Sequence, residues 1–203
     1  MPEIFRTEIN NGFISIWKPE ENIDFFSNTV DSNQLENHVL NFERPKRLKE
    51  KLVPHYILSK YNPSILLTNT QRKPHVNIGN ISVSHCSDFI AVAYTKSNEH
   101  NIGIDIEVYG DRILKIIHKF LNEAESGFCG KDSLKCLIIW SAKEAIFKKY
   151  GDSTAFFKEN IFIEPFENES KQELVAEINF NGSIIKEHLS CELFADFVMV
   201  HTN

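Results

Sequence analysis

The chain has 203 residues, 42% of them hydrophobic and 25% charged, with a formal net charge of −6. That length is enough to bury a core, as one domain or two small lobes, and the balance is that of a soluble globular protein. The acidic charge offers no field for nucleic acid, no apolar run nears the roughly 20 residues that span a membrane, and Met1 to Arg6 carries no signal-peptide pattern. Cys86, Cys129, Cys136 and Cys191 have no C-x-x-C spacing and read as reduced thiols of a cytoplasmic protein. The 8 histidines show no zinc-binding spacing. The 16 phenylalanines imply an aromatic-rich core.

In chain order, the first strong element is a basic helix over Lys46 to Tyr61, which Pro54 either kinks or starts afresh. Arg44, Lys46, Arg47, Lys49 and Lys51 make its beginning basic, and Arg47 and Lys51 share a face. Most such charges coat a solvated surface; a cluster of them can also anchor phosphates. Asn80 to His85 and Phe89 to Tyr94 alternate as strands, with Cys86-Ser87-Asp88 as the turn of a hairpin. The polar stretch Thr95 to Asn101 is the best lobe junction, giving lobes over 1–100 and 101–203. Ile102-Gly103-Ile104-Asp105-Ile106-Glu107 follows as a strand. Helical spacing then runs through Ile113 to Phe120 and through Leu134 to Tyr150, where Gly151 suits a helix stop. The tail returns to strands over Asn160 to Ile163, Leu174 to Phe180 and Cys191 to His201, with Asn181-Gly182 as a hairpin turn. Asp88-Phe89-Ile90-Ala91-Val92 is faintly echoed by Asp196-Phe197-Val198-Met199-Val200.

Two segments carry chemistry. In the strand, the three isoleucines share one face, and Gly103, Asp105 and Glu107 share the other. The two acids stand about 7 Å apart along the strand and repel unless a cation or proton lies between them. Gly103, lacking a side chain, leaves room for a ligand to approach the backbone. In the helix, Trp140, Glu144 and Lys148 form one row, with acid before base. Taken singly, a wet strand face and a solvated Glu-Lys pair are the commoner explanations. Together they suggest a site for a hard divalent cation and a phosphate-bearing substrate.

This pair of segments resembles the signatures of the 4'-phosphopantetheinyl transferase superfamily. The first signature is apolar-Gly-apolar-Asp-apolar-Glu, here Ile102 to Glu107. The second is Trp/Phe-Ser/Cys-x-Lys-Glu-Ala/Ser-x-x-Lys, here Trp140 to Lys148. Ser82-Val83-Ser84-His85, Lys73-Pro74 and Phe120 to Glu125 resemble further segments of the larger, two-lobed bacterial type that serves peptide and polyketide synthases. Arg72 stands where that type usually has Gly, and Cys86 where Ser is common; both departures bear on coenzyme A affinity more than on chemistry.

The resemblance implies an α+β fold of two similar lobes related by a pseudo-twofold axis, with the site in the cleft between them. It implies transfer of 4'-phosphopantetheine from coenzyme A to a serine of an apo acyl or peptidyl carrier protein, with release of adenosine 3',5'-bisphosphate. Mg²⁺, or Mn²⁺ in its place, would be held by Asp105, Glu107 and Glu144. Glu144 would also activate the serine hydroxyl, and Lys148 would contact a phosphate oxygen, with Lys143 secondary. Arg47, Lys73, Ser84 and His85 would hold the 3'-phosphate and adenylate. Trp140 would pack helix against strand, and Arg112, Ile113, Ile116, Ile117 and Phe120 are candidates for docking the carrier, with core packing the competing explanation for the apolar ones. Two halves in one chain imply a monomer. A non-catalytic homologue that binds coenzyme A or a carrier is the alternative.

Overall fold

The computed structural model describes residues 3–29, 44–70, 73–151, 156–180 and 182–203. The expectations on Arg72 and on Asn181 lie outside the described residues. The chain divides into two compact units, Met1–Asn101 and Ile102–Asn203.

In the first unit, β1 (Glu3–Ile9) and β2 (Gly12–Trp17) form a hairpin and α1 (Ile23–Thr29) and α2 (Pro45–Tyr61) follow. After them come the two-stranded β3 (Leu67–Thr70) and β4 (Lys73–Val76), then β5 (Asn80–Cys86) and β6 (Phe89–Thr95). The main sheet runs β1-β2-β6-β5, antiparallel throughout. Every residue of β2 and β6 is buried, as suits central strands covered on both faces. Leu52, Val53, Tyr56 and Ile57 of α2 pack with Phe13, Trp17, Ile90, Val92 and Tyr94. The helix opens on Pro45, where a missing N–H loses nothing. Pro54 does not start it: the helix runs through Pro54, which is buried in its interior.

The second unit opens with β7 (Ile104–Val108), followed by a 3₁₀ turn over Asp111–Lys115 and the short α3 (Ile117–Phe120) and α4 (Glu123–Cys129). The long α5 (Ser133–Tyr150) and the short α6 (Phe157–Asn160) come next. The strands β8 (Ile161–Ile163), β9 (Lys171–Phe180), β10 (Ser183–Leu193) and β11 (Phe197–Thr202) complete it. Its antiparallel sheet runs β7-β11-β10-β9-β8. Leu137, Ile138, Ala142, Ala145 and Ile146 of α5 share a core with Leu174, Ala176, Ile178, Leu189, Cys191, Val198 and Val200 of the sheet. Asp132 caps α5 by accepting from the N–H of Leu134 and Lys135. Gly151 ends it at φ 73°, a left-handed conformation that favours glycine.

Two expected elements change. The strand over Cys191 to His201 is the end of β10 and most of β11, with the chain reversing where Phe194 N–H donates to the carbonyl of Phe197. The helical run over Ile113 to Phe120 breaks into the 3₁₀ turn and α3. Ile113 and Phe120 are buried in the core, so they are unavailable to a docking partner; Ile116 and Ile117 pack partly against it. The strands β1 and β2 carry no motif and were not anticipated. Among the described residues, no helix is long and apolar enough to cross a membrane.

Candidate active site

The strand β7 forms the edge of its sheet, paired only with β11. Asp105 and Glu107 lie opposite Val200 and Val198, two residues of the core that α5 covers. Strand alternation therefore turns both acids toward the helix side, and Ile104 and Ile106, themselves buried, to the other. Gly103 decides how near the helix comes. A Cβ built on it would lie 1.9 Å from the carbonyl oxygen of Ala145. The room expected there for a ligand is taken by the α5 backbone, because without a side chain the strand and helix can close on each other.

That approach brings the two segments together. Lys148 Nζ donates to Asp105 Oδ1 at 2.8 Å and to the carbonyl of Ile104 at 2.9 Å. About two turns back along α5, half-buried Trp140 donates from Nε1 to Glu107 Oε1 at 3.1 Å. The Trp140 ring also packs against Phe120 and Phe157, with centroids 5.2 and 5.8 Å away. Helix spacing could have suggested the Trp140 bond, since Trp140 precedes Glu144 by one turn on the same row.

The electrostatics tie Glu144 to the same place. Burial, then the neighbouring Asp105, push its carboxyl up to about 7; Lys148 pulls it down and Glu107 adds to the rise. Burial and then Asp105 also raise Glu107, against the opposing pull of Trp140 and Lys148. Three carboxylates thus compete for ionisation beside one ammonium.

A family model described as the 4'-phosphopantetheinyl transferase superfamily matches residues 101–199. Over those residues the chain is similar to that superfamily, whose description names a transferase chemistry, the transfer of phosphopantetheine. No curated protein matches the chain. The donor set suits a hard divalent cation: oxygen ligands only, held partly out of water, with Asp105 raising the proton affinity of Glu107 and Glu144. Among the described residues, however, no three His, Cys, Asp or Glu side chains are gathered closely enough to hold a metal ion. Asp105 is held by Lys148 and Glu107 by Trp140.

Lys143, the other lysine of the superfamily's second signature, has no exposed surface and turns away from this group. Its Nζ donates to Glu125 Oε2 at 2.7 Å and to the carbonyls of Phe120 at 2.7 Å and Phe157 at 3.1 Å. Glu125 is equally buried; it accepts from Ile163 N–H and closes a capping box with Asn122 at the start of α4. Burial lowers the Lys143 pKa and the Glu125 charge opposes that. This pair fastens α5 to α3, α4, α6 and β8. The signature pattern singles out both residues but not their contact, which is 18 residues apart in sequence.

The residues expected to hold the nucleotide lie in the first unit. On α2, Arg47 donates to Glu50 Oε2 at 2.7 Å, and His85 Nε2 of β5 stands 3.5 Å from the same oxygen. Arg47 and His85 therefore converge on one buried carboxylate that the sequence reading passed over, although Arg47 and Glu50 are at i, i+3 spacing. A pocket opens beside it, lined by Lys18, Lys46, Lys49 and Glu50 together with Ser87 and Asp88 of the hairpin turn. Ser84 is buried while His85 is exposed, so strand alternation sends the two side chains to opposite faces of β5. Lys73 sits exposed on β4, outside the lining of that pocket. Of the four expected residues, Arg47 and His85 meet on Glu50.

Proposed function

We propose that this chain transfers 4'-phosphopantetheine from coenzyme A to a serine hydroxyl of an apo acyl or peptidyl carrier protein, releasing adenosine 3',5'-bisphosphate. The observation that carries the reading is the Lys148–Asp105 bond where β7 packs on α5, with Glu107 and Glu144 near enough to feel the Asp105 charge.

Asp105, Glu107 and Glu144 would hold Mg²⁺ or Mn²⁺, which when bound neutralises diphosphate charge and stabilises the leaving oxygen. The chain's own residues do the rest. An ammonium has three donors, and Lys148 spends two on Asp105 and Ile104, leaving one for a phosphate oxygen. Asp105 thereby fixes the direction of that charge. Glu144, with a carboxyl near 7, is suited to take the proton of the serine hydroxyl as it attacks the β-phosphate. Trp140 holds one Glu107 oxygen in place. In the first unit, Arg47 and His85, which meet on Glu50 at the edge of a pocket lined by Lys18, Lys46 and Lys49 with Glu20, Glu50 and Asp88, would contact the 3'-phosphate; Lys73 and Ser84 are kept as further nucleotide contacts. The four free cysteines favour action inside the cell, and two halves in one chain favour a monomer.

The test is to incubate the protein with apo carrier, coenzyme A and Mg²⁺ and to weigh the carrier. A gain of the phosphopantetheine mass is expected, together with its loss in Asp105→Asn. No gain with any of several carriers, in protein that still binds coenzyme A, would overturn the reading in favour of a binding homologue.

A further inference from the structure

One buried polar group of α5 takes no part in the contacts above. Ser141 has no exposed surface, and among the described residues its Oγ has no hydrogen-bond partner. A serine inside a helix can donate to the carbonyl four residues back; Ser141 does not. A buried hydroxyl left unpaired destabilises a fold, so the groups it faces matter.

It faces the acids. At about 100° per residue, Ser141 lies about 20° around the helix from Lys148 and about 60° from Glu144. The strand β7 crosses this face. Gly103 abuts the backbone of Ala145 and Lys149, Asp105 is bonded to Lys148, and Glu107 is bonded to Trp140. Ser141 stands between those anchor points along the helix, on the side that the strand covers. Long helical side chains lean back toward the N-terminus, which brings the Glu144 carboxyl toward Ser141, three residues earlier. Asp105, Lys148 and Glu107 act on that carboxyl by charge, and no hydrogen bond contributes. Close packing does not call for a hydroxyl here: Ala142 and Ala145 are equally buried without one.

A carboxylate that ligates a divalent cation is in turn oriented by a hydrogen-bond donor. We infer that Ser141 is a positioning residue of the cation site, its hydroxyl donating to the Glu144 carboxylate and holding it toward Asp105 and Glu107 when Mg²⁺ or Mn²⁺ binds. Residues three apart on a helix are neighbours, so the bond needs only side-chain rotation. This inference deepens the transfer reading and rests on its metal assignment.

The test is Mn²⁺ binding to the full chain without coenzyme A, followed by electron paramagnetic resonance, with thermal melting of each metal-free variant beside it. Ser141→Ala should bind Mn²⁺ about tenfold more weakly. Its metal-free melting temperature should hold or rise, because the hydroxyl it lacks makes no bond in that state. Ser141→Cys keeps the bulk but offers only a weak donor, so its affinity should fall between those of Ser141→Ala and the parent. Asp105→Asn should lose binding. Undiminished affinity in Ser141→Ala, parental affinity in Ser141→Cys, or a metal-free Ser141→Ala that melts several degrees lower would each overturn the inference and leave the transfer reading standing. Retained Mn²⁺ binding in Asp105→Asn would overturn the metal assignment and this inference together.

Discussion

At the scale of single residues, Glu144 and Lys143 are neighbours with opposite fates, and each yields a prediction. The Glu144 carboxyl is raised from an ordinary 4.5 to about 7, first by burial and then by Asp105. Between those values the folded protein holds a proton that the unfolded chain would release. Stability must therefore fall as pH rises through this window. Glu107 is raised too and adds a slope of the same sign. Glu144→Gln removes the first contribution, so its urea midpoint in metal-free buffer should vary less with pH between about 4.5 and 7 than that of the parent. An unchanged slope would mean that neither burial nor Asp105 raises the Glu144 carboxyl. For Lys143 the issue is a buried charge. Lys143→Met leaves Glu125 ionised at zero exposure, which should cost about 3–5 kcal/mol. Adding Glu125→Gln should return part of that loss. Urea unfolding of the single and double variants gives the comparison, and a single-variant loss below about 1 kcal/mol would contradict the pairing. The sequence made both residues visible as signature positions. Their roles differ because helix rotation points adjacent side chains about 100° apart, and only packing decides which direction is core and which is site.

At the scale of elements, the contact of β7 with α5 is what assembles the candidate site. Periodicity alone gave the strand, the helix and the residues sharing each face, since the repeats of 2.0 and 3.6 are local properties of the backbone. It could not give the meaning of Gly103, because the carbonyl it accommodates belongs to Ala145, far along the chain. Gly103→Ala should push β7 and α5 apart, lower stability by at least about 1–3 kcal/mol and weaken the Lys148–Asp105 bond. Calorimetry together with the carrier mass assay measures both effects; a variant as stable as the parent would show that the strand can shift without loss. Elsewhere local rules misled. The 3.6-residue spacing over Ile113 to Phe120 suggested one helix, but Ile113 and Phe120 serve the core from a 3₁₀ turn and a separate short helix. The strands β1 and β2 passed unnoticed because they carry no motif, although they supply Phe13 and Trp17 to their core.

At the scale of the whole molecule, the chain builds two cores, and its two tryptophans happen to report on one each: Trp17 in the first unit, Trp140 in the second. Leu52 has no exposed surface and lies in the first core. Leu52→Ala should cost about 2–5 kcal/mol, read through Trp17 fluorescence in a Trp140→Phe background. A loss under about 1 kcal/mol would mean that α2 is not packed as described. The first unit ends at Asn101, after the polar stretch from Thr95, where a chain leaving a core has few apolar side chains to bury.

By itself, the sequence determined the chemistry on offer: two acids on one strand face, an acid and a lysine on one helix row, a basic helix start, and the signatures of a superfamily. These follow from residue identity and local backbone period. Only the tertiary structure decided which groups meet: Lys148 with Asp105, Trp140 with Glu107, Lys143 with Glu125, and Arg47 and His85 on Glu50. The physical reason is that proximity between distant residues is set by close packing of whole elements, which no local pattern encodes.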